Sequence, residues 1–137
     1  MKERSPIRIG FAPYDIRYTF WALLAHALRQ AAKERGVAIE TVPIISASEA
    51  AAVLEHFLSQ GVDAVIMAPP RADYLECASL VHQAQARGIP VVALDSLFPG
   101  GVETYVVRSD NAGGAALVAE RLLARVQRGP LVHLHGP

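Results

Sequence analysis

Cysteine is almost missing from this chain: Cys77 is the single one in 137 residues. One thiol excludes an internal disulfide and a multi-thiolate metal site, and at its place on an apolar helical stripe it reads as a buried small side chain. Charge of one sign is not concentrated anywhere. Thirteen Lys and Arg cancel thirteen Asp and Glu, and no basic run forms a stripe, so the electrostatic footprint of a nucleic-acid binder is lacking. No segment approaches the roughly 18 apolar residues needed to span a bilayer, which argues against direct membrane insertion. The N-terminus, MKERSPIRIG, is charged without a following apolar stretch, so no signal peptide is read there. From this alone the protein is cytoplasmic, or its targeting segment lies outside the sequence. A glycine-rich phosphate loop is also missing. The residues after the first apolar run are PYDIRYTFW, and Gly113-Gly114 falls inside a helix start.

What is present is apolar and regularly punctuated. Apolar residues make up 52%, enough for one modest domain with a real core. Ile7–Ala12 reads as a first strand, followed by a loop at Pro13-Tyr14-Asp15. Phe20, Leu23, Leu24, Ala27, Leu28 and Ala31 keep helical spacing for three turns. Val37–Ile45 reads as a second strand, with Pro43 pointing to a sheet edge. Ser46 and Glu49 have the spacing of a capping box, opening a helix with Ala50, Val53, Leu54, Phe57 and Leu58 inward. Val62–Ala68 is a third strand, and Pro69-Pro70 forces a turn. The third helix carries Tyr74, Cys77, Ala78 and Val81 inward. Thr104–Val107 is a fifth strand, and Ser109-Asp110-Asn111 offers three N-caps for a helix with Ala115, Val118, Ala119, Leu122, Leu123 and Val126 inward. Leu131–His135 begins another strand. Gly36, Gly61, Gly88 and Gly129 each follow Arg or Gln and separate a helix from a strand.

The segment GIPVVALDS, Gly88–Ser96, organises the rest. Val91–Leu94 has no polar alternation, so it reads as a strand covered on both faces, as in a parallel sheet. The recurring strand–helix alternation predicts an α/β, doubly wound, flavodoxin-like parallel sheet in the order 2-1-3-4-5, with right-handed crossovers. Asp15, Asp95 and Asp110 then fall after the first, fourth and fifth strands, at the edge where open α/β sheets bind ligands. Tyr14, Tyr18, Phe20 and Trp21 crowd the same region. Aromatic faces beside carboxylates suit a polyhydroxylated ligand, whose C–H faces stack on rings while its hydroxyls donate to carboxylates. The competing readings are a core Phe20, a half-buried Trp21 and an Asp110 that only caps its helix. A response-regulator receiver is excluded by Met67-Ala68-Pro69 and Val107-Arg108, where an acceptor Asp and a Lys are needed. His133 and His135 share a strand face, but two imidazoles without a third ligand are a weak metal signal. No metal site, cofactor or catalytic constellation is expected.

These segments together resemble a known family. The first strand and helix, VDAVIMAPP, the ordered pair GIPVV-x-LD and SDN-x-GG, and the helix after it resemble type I periplasmic sugar-binding proteins of the ribose-binding kind. The effector domains of lac-repressor-type regulators share that order. The resemblance implies a two-lobe periplasmic-binding-protein fold with the ligand in the cleft, of which this chain is a single lobe. It places an N-terminal ligand-binding lobe at 1–108, and a hinge crossing with the first helix and strand of the second lobe at 109–137. It implies that Phe20 and Trp21 are the paired aromatics at the sugar, that Asp95 binds ring hydroxyls, and that Ser109–Asn111 marks the first hinge crossing. Tyr18 and Thr19 stand where the family has Asn and Pro, Ala68 replaces a polar residue, and Ser96 replaces an Arg. The expected ligand is therefore a small hydroxylated, sugar-like molecule, contacted by Tyr14, Asp15, Tyr18, Phe20, Trp21, Asp95, Ser96 and Asp110. The expected role is non-enzymatic: solute binding for a membrane ABC-type transporter or sensor, in a periplasmic or extracytoplasmic setting. The alternatives are a regulator's effector domain and, disfavoured by the empty phosphate loop, a flavodoxin-like enzyme. With no second-lobe sheet to join, the helix after Asn111 and the strand Leu131–His135 expose apolar stripes, which favours a homodimer over closure of the chain on itself.

Overall fold

The computed structural model describes residues 6–69, 75–126, 128–130 and 132. Five short strands, β1 (Arg8–Ala12), β2 (Ala38–Thr41), β3 (Ala64–Met67), β4 (Val91–Leu94) and β5 (Tyr105–Val107), alternate with helices α1 (Thr19–Glu34), α2 (Ala47–Ser59) and α3 (Leu75–Ala86). A fourth helix, α4 (Asn111–Leu123), follows β5. All four strand pairings are parallel, and the sheet order is β2-β1-β3-β4-β5. Sheet order and strand direction therefore match the pattern read from the sequence. The second strand is shorter than the segment read from sequence: the Val42 N–H still donates to the Phe11 carbonyl at 2.9 Å, and past Pro43 only the isolated Tyr14–Ile44 bridge continues the pairing. Tyr74 and the run Leu131–His135 lie outside the described residues, Val132 apart.

One face of the sheet is dry. In register, Gly10 pairs with Val65 and Val65 with Val91, while Ala12 pairs with Met67 and Met67 with Ala93; all six are buried. They meet Ala50, Leu54, Phe57 and Leu58 from α2, and Cys77, Leu80, Val81 and Ala84 from α3. Burying each large apolar side chain here stabilises by roughly 1.5–3 kcal/mol. Burial also pushes the Cys77 thiol above its ordinary pKa, as expected where low dielectric disfavours the thiolate. Gly10 is required by contact: an added Cβ would stand 2.7 Å from both Cδ atoms of Phe57 and closer still to its Cγ.

The other face is thinner than the sequence predicts. β3 and β4 alternate buried and half-buried residues, so Ile66, Val92 and Leu94 are only partly covered. α1 supplies the cover, and it lies toward β2. Its inward residues are Ala25 and Ala32, with Trp21, Leu24 and Leu28 half-buried, while Phe20, Leu23 and Ala27 face solvent. α4 buries no residue at all, so its apolar stripe is exposed throughout. The capping box at Ser46 is half made. The Ser46 side chain caps nothing, but Glu49 Oε2 accepts the Ile45 N–H at 2.9 Å. No helix is long and apolar enough to cross a membrane among the described residues.

Candidate functional site

The carboxyl ends of β1, β4 and β5 bring the three strand-end aspartates to one edge, but their surroundings give them different work. Asp15 follows β1 and is 5% exposed, and among the described residues it is the one buried charged side chain. Its Oδ1 accepts the Arg17 backbone N–H at 3.0 Å and Nε–H at 2.8 Å. Its Oδ2 accepts Nε–H at 3.0 Å and Nη2–H at 2.6 Å. Those hydrogen bonds hold the carboxyl below the ordinary carboxylate range and raise Arg17 in turn. Asp110 is the N-cap of α4, its Oδ1 accepting the Gly113 N–H at 2.9 Å. Of the three N-cap candidates in Ser109-Asp110-Asn111, the middle one does the capping.

Asp95 is different. Among the described residues it is the one non-glycine with positive φ, +68°. The Ser96 N–H donates to the Leu94 carbonyl across it at 2.8 Å, closing a three-residue turn of the uncommon positive-φ kind. Asp tolerates this region better than most residues, and such strain persists only where its surroundings enforce it. The surroundings do so from two sides. The Asp95 N–H donates to the Val107 carbonyl of β5 at 2.9 Å, and Phe98 is buried three residues on, its N–H donating to Glu103 at 3.3 Å. The Asp95 side chain is exposed and has no hydrogen-bond partner among the described residues. Ser96 beside it is half-buried. A cavity of about 510 Å³ opens here, lined by Asp95, Arg108, Ser109, Asp110, Asn111 and Ala112.

The aromatic residues form a second cluster where β1 leads into α1. Trp21 meets Tyr14 edge-on, with centroids 6.2 Å apart at 62°, and Phe20 at 4.9 Å and 80°. The Phe20 and Trp21 rings touch each other edge to face, so they make one wall rather than an open slot. Phe20 is 56% exposed and Trp21 half-buried. Tyr14 is held against the core by the Tyr14–Ile44 bridge. Tyr18 occupies the N-cap of α1, is exposed, and caps nothing with its side chain. The residues missed from sequence are Arg17 and Arg108. Arg17 had a signal, since Asp-x-Arg across a strand-end turn brings a guanidinium back onto a carboxylate, whereas Arg108 had none beyond following β5. Among the described residues no group of His, Cys, Asp and Glu could hold a metal ion.

Comparison with known proteins places this geometry. The chain is 31% identical to the ribose import binding protein of Bacillus subtilis (strain 168) over 132 residues, covering 95% of this chain and 42% of that protein. A galactofuranose binding protein superposes with a TM-score of 0.76 at 21% identity, over 89% of this chain and 42% of the other. The periplasmic binding protein component of the arabinose ABC transporter from Shewanella sp. ANA-3, solved with arabinofuranose, gives 0.75 at 21% identity, over 88% and 40%. The chain thus spans less than half the length of these relatives, one lobe of each. A family model described as a periplasmic binding protein domain matches residues 9–136, and this chain belongs to that family.

Proposed function

We propose that this chain is the N-terminal ligand-binding lobe of a solute-binding protein that carries a small hydroxylated, sugar-like molecule to an ABC-type transporter or sensor outside the cytoplasm. On this reading residues 1–108 form the lobe, and 109–137 begin the crossing to a second one. The observation that carries it is the carboxylate of Asp95, unpartnered among the described residues and set on a positive-φ backbone, at the same sheet edge as the aromatic wall of Phe20, Trp21 and Tyr14. A carboxylate with open lone pairs accepts from sugar hydroxyls, and an exposed ring face stacks on sugar C–H groups. On this reading half of the ligand's contacts lie on the second lobe, so calorimetric titration of the complete two-lobe protein with ribose, arabinose and galactose tests the proposal. Asp95→Ala should weaken the best of these by about tenfold, about 1.4 kcal/mol. Equal affinity in the variant would remove Asp95 from the site.

A further inference from the structure

The β1 side of the site offers donors, not acceptors. An ionised carboxylate has about four lone-pair sites, and the Asp15 oxygens already accept two hydrogen bonds each, all from Arg17. Asp15 therefore has no capacity left for a ligand. What it provides is a buried anchor that fixes a guanidinium. Arg17 spends its Nε–Nη2 edge on Asp15 while its side chain is 77% exposed. Nη1 makes no hydrogen bond among the described residues, which leaves the Nη1–Nη2 end of the fork open. Two parallel N–H groups in one plane match a carboxylate bidentately. A sugar hydroxyl satisfies one of the pair and leaves the other unmatched. The start of α1 two residues on carries no acidic residue in its first turn and no side-chain cap, so that turn holds no competitor for those donors. Asp15 cancels the charge of Arg17 at long range, and recognition then acts at contact distance through the fork.

We propose that Arg17, positioned by Asp15, is a specificity-determining donor and that the ligand is a sugar acid, its carboxylate on Arg17 and its hydroxyls toward Asp95. This rests on the sugar-binding reading above and narrows it. β1 and β4 are separated by β3 alone, so the strand ends that carry the two walls are about 10 Å apart, two strand spacings. A six-carbon sugar acid with a hydrogen bond at each end fills such a span.

The test is an NMR titration of the complete two-lobe protein with D-galacturonate and D-glucuronate, each against its neutral parent, galactose or glucose. The Trp21 indole N–H and the Asp95 amide report binding. The expected result is an acid bound about tenfold or more tightly than its parent. Arg17→Gln should bring acid and parent to within about twofold, and Arg17→Lys, which keeps the charge but loses the planar fork, should restore only part of the preference. Neutral sugars binding as tightly as the acids, through the same resonances, would overturn the sugar-acid inference and leave the sugar-binding reading standing. If no sugar moves Trp21 or Asp95, both fall. Arg17→Gln leaves a buried carboxylate without its partner, so its fold is checked by its amide spectrum. Should that variant unfold, the acid–parent comparison on the unmodified chain decides.

Discussion

Replacing Asp95 by Gly and by Ala separates the backbone of the site from its side chain. Both changes delete the carboxylate, but only Gly is at ease at φ +68°. A non-glycine residue in the left-handed region costs about 1–2 kcal/mol. Against that relief, Gly gives the unfolded chain extra freedom worth about 0.4–1 kcal/mol. Asp95→Gly should therefore stabilise by about 0.5–1 kcal/mol. Asp95→Ala keeps a Cβ and loses the local tolerance of Asp, so it should destabilise by a few tenths of a kcal/mol or more. A gap of about 1 kcal/mol in a chain of this length separates the two thermal midpoints by about 3–5 °C. Ligand affinity should fall about equally in both. Thermal unfolding and ligand titration of the two variants side by side give the answer. A Gly variant no more stable than the Ala variant would mean that the turn stores no strain. A Gly variant that binds as well as the unmodified chain would mean that the side chain is not the ligand group.

Three further outcomes are expected. Gly10→Ala forces a methyl into the face of buried Phe57 and should destabilise by about 1–3 kcal/mol, with Phe57→Leu in the same chain recovering part of the loss in a denaturant titration; an unchanged midpoint in the single variant would refute the packing. Asp15 has a folded pKa below its unfolded one, so its stabilisation is present above the ordinary carboxylate value, about 3.9, and is lost as pH falls through the lower folded value. The stability gap between the unmodified chain and Asp15→Asn should thus be full at neutral pH and close below about pH 4, and a gap independent of pH would sink the argument. The apolar residues of α4 are exposed, so the chain should sediment as a dimer at micromolar concentration, whereas a single monomeric species with Leu131–His135 protected from hydrogen exchange would show that it closes on itself.

The fold was legible because three signals agreed. Apolar runs without alternation marked buried parallel strands, helical spacing marked the crossovers, and Gly36, Gly61 and Gly88 stood where the chain turns with positive φ. The α2 and α3 faces followed directly, since Leu54, Phe57, Cys77 and Val81 all lie in the core. α1 was misread by about one position. Phe20 and Leu23 fit an apolar stripe as well as Ala25 and Ala32 do, and spacing alone does not say which edge of a wide stripe faces the sheet. The site was legible in place but not in role. Strand-end position identified Asp15, Asp95 and Asp110, yet their roles are set by donors a few residues on. Arg17 returns to Asp15, the Gly113 N–H reaches Asp110, and Asp95 is followed only by Ser-Leu-Phe, which turns away to bury Phe98. Periodicity carries no information about such return contacts.

The two walls of the site differ in stiffness, and that difference bears on affinity. Asp95 is fixed by the β4–β5 ladder, by the turn across it and by the buried Phe98, so its carboxylate needs little ordering when a ligand arrives. The aromatic wall stands on the first turn of α1, where Phe20 is exposed, Tyr18 caps nothing and no acidic side chain meets the free N–H groups. Helix ends with exposed backbone and few buried contacts open at low free-energy cost. A ligand that stacks on Phe20 fixes an exposed side chain at the helix end, and that cost comes out of the observed affinity. Asp15 and Arg17 lie at the junction, one side chain buried and the other at the rim. A ligand group that engages Arg17 would therefore bridge the helix end and the sheet edge, since Asp15 is buried at their junction. On these grounds substitutions at Arg17 should act on the aromatic wall, while substitutions at Phe98 should loosen Asp95 together with the core that Phe98 fills.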